Sequence, residues 1–67
     1  MPITLALTAG CWRQVLPAIP LDALGYRTAL AARIAAAVDP YPNHQAVPIS
    51  LTYPEWRVVQ RARHALR

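Results

Sequence analysis

The sequence has no lysine, no phenylalanine, a single cysteine and only three acidic residues. One cysteine excludes an intrachain disulfide, and the chain has no group of Cys and His at the spacing of a structural zinc site. Asp22 and Asp39 stand where a helix cap and a helix end are expected, which leaves Glu55 as the remaining candidate for acid–base chemistry. We therefore expect no metal, no cofactor and no enzymatic activity.

Other absences concern membranes and phosphate loops. No stretch approaches the roughly 20 continuous apolar residues of a membrane span, and no charged region precedes the first apolar residues as in a secretory signal. Gly10 and Gly25 are the only glycines, so a Gly-rich phosphate-binding loop is excluded. The expected location is the cytoplasm, which would be that of the host cell if a phage encodes the protein.

The chain is short, apolar and basic. The chain has 67 residues, of which 55% are hydrophobic. At this length the stability from one hydrophobic core is marginal, and two separate cores are excluded. Without crosslinks or a metal, association of identical subunits is the remaining means of stabilisation, so we expect a homo-oligomer. The net charge is +4 and every basic side chain is arginine, whose planar guanidinium suits bidentate contact with phosphate or carboxylate. An anionic partner is favoured.

An internal repeat at an offset of 44 residues is the most informative pattern. Residues 7–15 (LTAGCWRQV) align with residues 51–59 (LTYPEWRVV), with identical Leu, Thr, Trp, Arg and final Val. The preceding residues 3–7 and 47–51 both alternate apolar side chains with small or polar ones, which is typical of short strands. Pro48 lacks an amide donor and restricts the second strand to an edge.

Each copy of the repeat predicts a strand followed by a helix. Thr8 and Thr52 are suitable N-caps, and Thr52 with Glu55 forms a capping box that the first copy lacks because Cys11 stands in that place. The fold class is therefore α+β and mostly α, with three helices and two strands in the order β-α-α-β-α. We predict a single domain, residues 1–67, with half-repeats 3–16 and 47–66 flanking a central helix 25–38.

The central helix is predicted from a four-residue spacing of apolar side chains. The spaced residues are Tyr26, Leu30, Ile34 and Val38, and Ala29 and Ala37 are expected on the same face. The connector before it contains Asp22, which can cap a turn that includes Ala23 and Leu24.

The run Leu-Thr-x-x-x-Trp-x-x-Val-Leu is followed by a proline-rich break, an aromatic residue and a Leu/Ile-striped helix, and this pattern covers residues 7–38. In this pattern the chain resembles small uncharacterised proteins of phages and prophages. The resemblance implies a mobile-element setting and assigns no functional residue. Gly10 and Cys11 depart from it, because acidic residues are common at this helix start in the group.

Two Trp-Arg pairs are the first candidate ligand-binding residues: Trp12 with Arg13, and Trp56 with Arg57. Each indole could offer a stacking face while the neighbouring arginine reaches an anion. The alternative is that the tryptophans are core residues, since a side chain four positions after the cap faces the preceding strand.

The last predicted helix adds a basic face. Arg57, Arg61 and His64 follow i, i+4, i+7 spacing, and Arg63 with Arg67 form a second row. Contact with phosphate is one interpretation, and a solvated face without a partner is the other.

The leading hypothesis is a phage-encoded, non-enzymatic oligomer that antagonises a host defence system. It would sequester an anionic nucleotide-like ligand or bind an acidic surface of a host protein. One alternative is a nonspecific nucleic-acid-binding accessory or regulatory protein that uses the Arg-rich C-terminal helix. Another is a structural component whose function is self-assembly.

Overall fold

The computed structural model describes residues 1–65, and its elements follow the predicted order β-α-α-β-α. A short 3₁₀ turn is added after the first helix, and about half of the chain is helical. The elements are β1 Ile3–Thr8, α1 Ala9–Val15, the 3₁₀ turn Leu16–Ala18, α2 Ala29–Val38, β2 Ala46–Leu51 and α3 Tyr53–Ala65. Leu66, the expected end of the third helix, and Arg67 lie outside the described residues.

β1 and β2 form a two-stranded antiparallel sheet in which Leu5 lies opposite Ile49. The alternating apolar side chains of both strands face the helices, as the period-two pattern predicts. On β2 these side chains are buried, whereas on β1 they are only partly buried. The sheet is therefore better covered along β2 than along β1.

The strand register has the symmetry of the sequence repeat. Ile3 pairs with Leu51, and Leu7 pairs with Val47. Shifting each residue to its counterpart 44 positions away turns the first pair into the second. The strands of the two half-repeats are thus related by an approximate two-fold axis that passes between Leu5 and Ile49.

Both predicted N-caps are confirmed. The Thr8 hydroxyl accepts from the Cys11 amide at 3.2 Å. The Thr52 hydroxyl accepts from the Glu55 amide at 3.4 Å, and the Glu55 carboxylate accepts from the Thr52 amide at 2.8 Å, which completes the capping box. The first copy has Cys11 in place of the glutamate, so it has the bond to the threonine hydroxyl and lacks the bond to a carboxylate.

A single cluster of buried side chains forms the core between the sheet and the helices. α2 contributes Leu30, Ile34 and Val38 at the predicted four-residue spacing, and α3 contributes Val59 and Ala62. The largest fully buried side chains are Trp12, Ile34, Leu51, Val15, Val38 and Val59. The buried tryptophan of the first half-repeat is the largest of these.

The start predicted for the central helix, and the place of Tyr26 in it, are wrong. α2 begins at Ala29 with Thr28 as its N-cap, and Tyr26 is 68% exposed. Asp22 forms a tight loop instead, because its carboxylate accepts from the amides of Leu24 and Tyr26. Gly25 in this loop has φ +84°, a conformation suited to glycine that no helix can contain.

A second correction concerns the alanines of α2. Ala37 is partly buried beside the core, but Ala29 is exposed, and Ala31 is buried in its stead. The reason is the helical phase: at 3.6 residues per turn Ala31 lies on the same side as Leu30, Ile34 and Val38, and Ala29 lies on the opposite side. None of the helices described in residues 1–65 is long and apolar enough to cross a membrane.

Candidate functional site

Trp12 of the first Trp-Arg pair lies in the centre of the core. Its side chain is fully buried, and the indole Nε1 donates to the Val47 carbonyl on β2 at 2.9 Å. Both ring faces are covered by protein, so no ligand can stack on this indole without unfolding part of the core. This geometry fits the core alternative and gives Trp12 no direct role in a surface site.

Arg13 holds the loop after α2. One guanidinium nitrogen donates to the side-chain oxygen of Asn43, and the other donates to the carbonyls of Val38 and Tyr41. Gly10 lies against the same loop, with its amide donating to the Asn43 carbonyl at 3.0 Å. The donors of Arg13 are thereby directed at backbone and amide oxygens of the protein itself.

The second Trp-Arg pair is arranged differently. Trp56 is partly buried and stacks on Tyr53, with ring centroids 5.9 Å apart and planes inclined by 28°. Arg57 is exposed, and no hydrogen bond from its side chain to another described residue is present. The structure does not bring the two pairs into a common pocket, because the first is internal.

Arg57, Arg61 and His64 lie on one exposed face of α3, as their spacing predicts. Arg57 and Arg61 also border a surface groove of about 560 Å³ between α3 and the segment that follows α1. The remaining lining residues are small and apolar: Ala18, Pro20, Pro54, Val58, Ala62 and Ala65. Two exposed cations thus line an otherwise aliphatic groove.

An adjoining recess of about 320 Å³ continues this apolar surface toward α2. It shares Pro20, Pro54 and Val58 with the first groove and adds residues of the connector and of α2, namely Ile19, Leu21, Thr28 and Leu30, together with Glu55. Leu21 is 62% exposed and adds its apolar side chain to this surface. We call the two recesses together the α3 groove.

Charge is distributed unevenly along the α3 groove. Arg57 and Arg61 border one end, and Glu55 lies at the other. Glu55 is held by Arg33, whose Nη2 lies 2.8 Å from Oε1. This hydrogen bond to Arg33, followed by that from the Thr52 amide, lowers the pKa of Glu55 below its ordinary value. The Glu55 charge is balanced by its partner, so the arginines dominate the field of the groove.

The described residues offer binding surfaces. Among residues 1–65, no three His, Cys, Asp or Glu side chains lie close enough together to hold a metal ion. Every buried side-chain nitrogen or oxygen in the described part of the chain has a hydrogen-bond partner. What the α3 groove can do chemically is to cover an apolar ligand surface while two guanidinium groups pair with anionic groups beside it.

No protein-family model, curated protein or solved structure matches the chain.

Sequence reasoning identified the arginines of this site but missed its apolar floor. The sequence predicts that one side of the last helix carries Trp56, Val59, Ala62 or Arg63, and Leu66. Val59 and Ala62 are buried and Trp56 is partly buried, while Leu66 lies outside the described residues. A second stripe, Pro54, Val58 and Ala65, follows i, i+4, i+11 spacing and lines the groove. That spacing was visible in the sequence as a signal of a second apolar face on one helix.

Proposed function

We propose that the protein is a non-enzymatic binding protein whose α3 groove takes up an acidic, amphipathic segment of another protein. The observation that carries this proposal is that aliphatic side chains and the two exposed arginines Arg57 and Arg61 line the same groove. An amphipathic helix places apolar side chains on one stripe and charged ones beside it, which matches this layout. Acidic residues of the segment would lie over the arginines and away from Glu55.

A protein segment fits this surface better than a nucleotide does. Recognition of a base requires a ring for stacking and polar groups for its edges, and the lining contains no aromatic side chain. Trp12, the residue that would have served for stacking, is buried. Of the two partners considered from the sequence, an acidic protein surface is therefore favoured over an anionic nucleotide.

The setting implied by the resemblance to phage proteins extends the proposal. The partner would be a host protein in the host cytoplasm, and binding alone would block its action, because occlusion of a surface needs no catalysis. Association of identical subunits completes the proposal, since a chain of 67 residues without crosslinks leaves partly buried apolar surface such as that of Leu5 and Leu7.

A second candidate function is nonspecific binding of nucleic acid. It is favoured by one observation, the exposure of Arg57, Arg61 and His64 on the same face of α3. Phosphate contacts of this kind depend steeply on salt and need no apolar floor. Changes in the floor therefore distinguish the two candidates.

A display library of random short peptides tests the proposed function. Peptides are selected on the wild-type protein alone, and their affinities for it and for the Arg57→Ala/Arg61→Ala double variant are then measured by fluorescence anisotropy. We expect selected peptides in which Asp or Glu flanks a stripe of apolar residues. We also expect their binding to be lost in the double variant and in Val58→Asp, and kept in the control Arg27→Ala, which changes an exposed arginine outside the groove.

Two results would contradict the proposal. One is a set of selected peptides without enrichment of acidic residues. The other is binding that survives Val58→Asp in a variant whose circular dichroism and melting show that it is folded. Binding of duplex DNA that is lost with Arg57 and Arg61 but unaffected by Val58→Asp would select the nucleic-acid candidate.

A further inference from the structure

The two free edges of the sheet differ in what they offer to another strand. The Ala9 amide donates to the Gln45 carbonyl at 2.8 Å and continues the ladder by one pair beyond Thr8 and Ala46. In an antiparallel ladder the bonded pairs alternate, so the odd-numbered residues of β1 bond to β2. The even-numbered residues Thr4, Ala6 and Thr8 therefore direct their amides and carbonyls away from β2.

The outer edge of β2 is closed to strand addition. By the same alternation its outward-directed residues are Ala46, Pro48 and Ser50. Pro48 is in the middle of these and has no amide hydrogen to donate. The Ser50 carbonyl already accepts from Arg33 at 3.5 Å, which places a long charged side chain over this edge.

The outer edge of β1 has none of these protections. Among the described elements β1 packs on β2 and on α1, which follows it directly, while α2 and α3 pack against β2. Its core-facing side chains, Ile3, Leu5 and Leu7, are only partly buried. The segment from Ile3 to Thr8 contains no charged side chain, no proline and no glycine. Natural sheets usually protect an edge with one of these features, or cover it.

We propose that a second copy of this chain pairs with the outer edge of β1, antiparallel to it, to form a four-stranded sheet across two subunits. This inference rests on the association of identical subunits in the proposed function, for which it names the interface. It is independent of what the α3 groove binds, because no residue of β1 lines that groove. A two-fold axis relates the two strands, and in the proposed register it places Leu5 opposite the partner's Leu5.

The register centred on Leu5 uses the available backbone groups most completely. Thr4 and the partner's Ala6 exchange two hydrogen bonds, and the symmetric pair exchanges two more. The Thr8 amide donates to the carbonyl of the partner's Pro2. Pro2 has no amide hydrogen to donate to the opposite carbonyl, that of the partner's Thr8. This carbonyl is not left unpaired, because Thr8 is an N-cap and its carbonyl accepts the first hydrogen bond of α1.

The missing capping box of the first half-repeat leaves the Thr8 amide for this contact. In the second half-repeat the equivalent amide, that of Thr52, donates to the Glu55 carboxylate. Cys11 replaces that glutamate in the first copy and holds no carboxylate for Thr8. The copy without the capping carboxylate thus contains the open edge of β1, and the copy with the complete capping box contains the edge of β2 that Pro48 closes.

The same pairing covers the partly buried side chains of β1. On the core-facing side, Leu5 meets the partner's Leu5, and Ile3 meets the partner's Leu7. Aliphatic pairs directly opposite one another are favourable, and no like charges face each other across the interface. Because the outer edge of β2 is closed by Pro48, the sheet ends at four strands and the assembly is a dimer, not a filament.

Sedimentation equilibrium at micromolar concentration tests this interface with two matched substitutions. We expect the wild type to sediment at twice the 7.4 kDa mass of one chain. Ala6→Pro removes an amide that points away from β2, so it should give a folded monomer. Pro48→Ala opens the edge of β2 and should give species larger than a dimer. A chemically synthesised chain with N-methyl alanine at residue 6 removes the same amide and replaces Ala6→Pro if that variant does not fold.

The register is tested by disulfide capture in a Cys11→Ser background. Opposed, non-bonded residues of an antiparallel pair bring their Cα atoms to about 4.5 Å, within the range of a disulfide. Leu5→Cys should therefore form a covalent dimer on oxidation, and Leu7→Cys, which faces the partner's Ile3, should not. Covalent dimers of both variants in equal yield would contradict the register.

The interface is overturned by a wild type that remains monomeric, or by a folded dimer in which residue 6 has no amide hydrogen. Its failure and that of the α3 groove are distinguishable. A monomeric Ala6→Pro variant that still binds the selected peptides leaves the groove standing, and a dimer that selects no acidic peptide leaves the interface standing.

Discussion

The two copies of the Leu-Thr-x-x-x-Trp-Arg unit begin in the same way and end in different environments. In both, a strand leads into a helix capped by the threonine. Trp12 is then fully buried and bonded to β2, whereas Trp56 is partly buried against Tyr53. Arg13 holds a loop of the protein, and its counterpart Arg57 borders the α3 groove. The first copy stabilises the fold, and the second presents a surface.

The residues that differ between the two copies account for this difference. Gly10 of the first copy lets the loop approach closely, since a Cβ added there would lie 3.1 Å from that of Asn43. Pro54 takes the equivalent place in the second copy, and it lines the groove instead of packing under a loop. A repeated motif therefore fixes the local helix start, while small differences within it decide which side chains other segments cover.

The largest expected difference between the copies is at the tryptophans. Trp12→Ala should lower the free energy of unfolding by about 3–5 kcal/mol, because it leaves a cavity in the core and removes the indole hydrogen bond to the Val47 carbonyl. Trp56→Ala should cost about 1–2 kcal/mol, since it removes only a partly buried ring and its stack on Tyr53. Urea denaturation followed by circular dichroism measures both.

Trp12→Phe is the control for a variant too unstable to study, because it keeps most of the ring volume and removes the indole donor. Equal losses for the two alanine variants would contradict the division between core and surface.

A smaller difference is expected at the arginines. Arg13→Met replaces the aliphatic part of the arginine side chain but removes the guanidinium and its hydrogen bonds to the Val38 and Tyr41 carbonyls and to Asn43. We expect a loss of about 1.5–3 kcal/mol, as for hydrogen bonds from a charged donor. Arg57→Met should change stability by less than about 0.5 kcal/mol, as is usual for exposed positions. Denaturation midpoints of the two variants check this, and a larger loss for Arg57→Met would reverse the assignment.

The smallest expected effect concerns the capping box, which only the second copy has. The pKa of Glu55 is lowered in the folded protein, first by its bond to Arg33 and then by that from the Thr52 amide. Its contribution to stability is therefore present above the ordinary pKa of a glutamate and is lost as the pH falls through the lowered folded value. Glu55→Gln should cost about 0.5–1 kcal/mol at neutral pH and nothing in acid.

The measurement is the difference in unfolding free energy between wild type and Glu55→Gln as a function of pH. Arg33→Met is the matched control, because it removes the larger cause of the pKa shift and should reduce the pH dependence. A difference that stays constant from neutral pH into acid would rule out the carboxylate as its source.

The sequence was sufficient for the parts of the fold that local chemistry determines. The strand alternation, the caps at Thr8 and Thr52 and the order of elements each follow from a few neighbouring residues. Tyr26 was misplaced because its spacing fits a helix, but the carboxylate of Asp22 and the positive φ of Gly25 form a loop there. In this case a local turn outweighs apolar periodicity.

The candidate site was less predictable for a different physical reason. Identical Trp-Arg dipeptides gave no indication of which copy would be covered, since covering depends on the packing of the loop around Asn43. The floor of the α3 groove is formed by Pro20 and Ala18 from one segment and by α3 from another, far apart in sequence. Only the tertiary arrangement places these residues beside Arg57 and Arg61.

Quenching of single-tryptophan variants tests the division between the two copies most directly. Trp56→Phe leaves Trp12 as the sole indole, and Trp12→Phe leaves Trp56. We predict that Trp12 emits at shorter wavelength and is almost unaffected by iodide, and that Trp56 emits at longer wavelength and is readily quenched, in proteins shown by circular dichroism to be folded. Equal quenching of the two indoles, or stronger quenching of Trp12, would contradict the account.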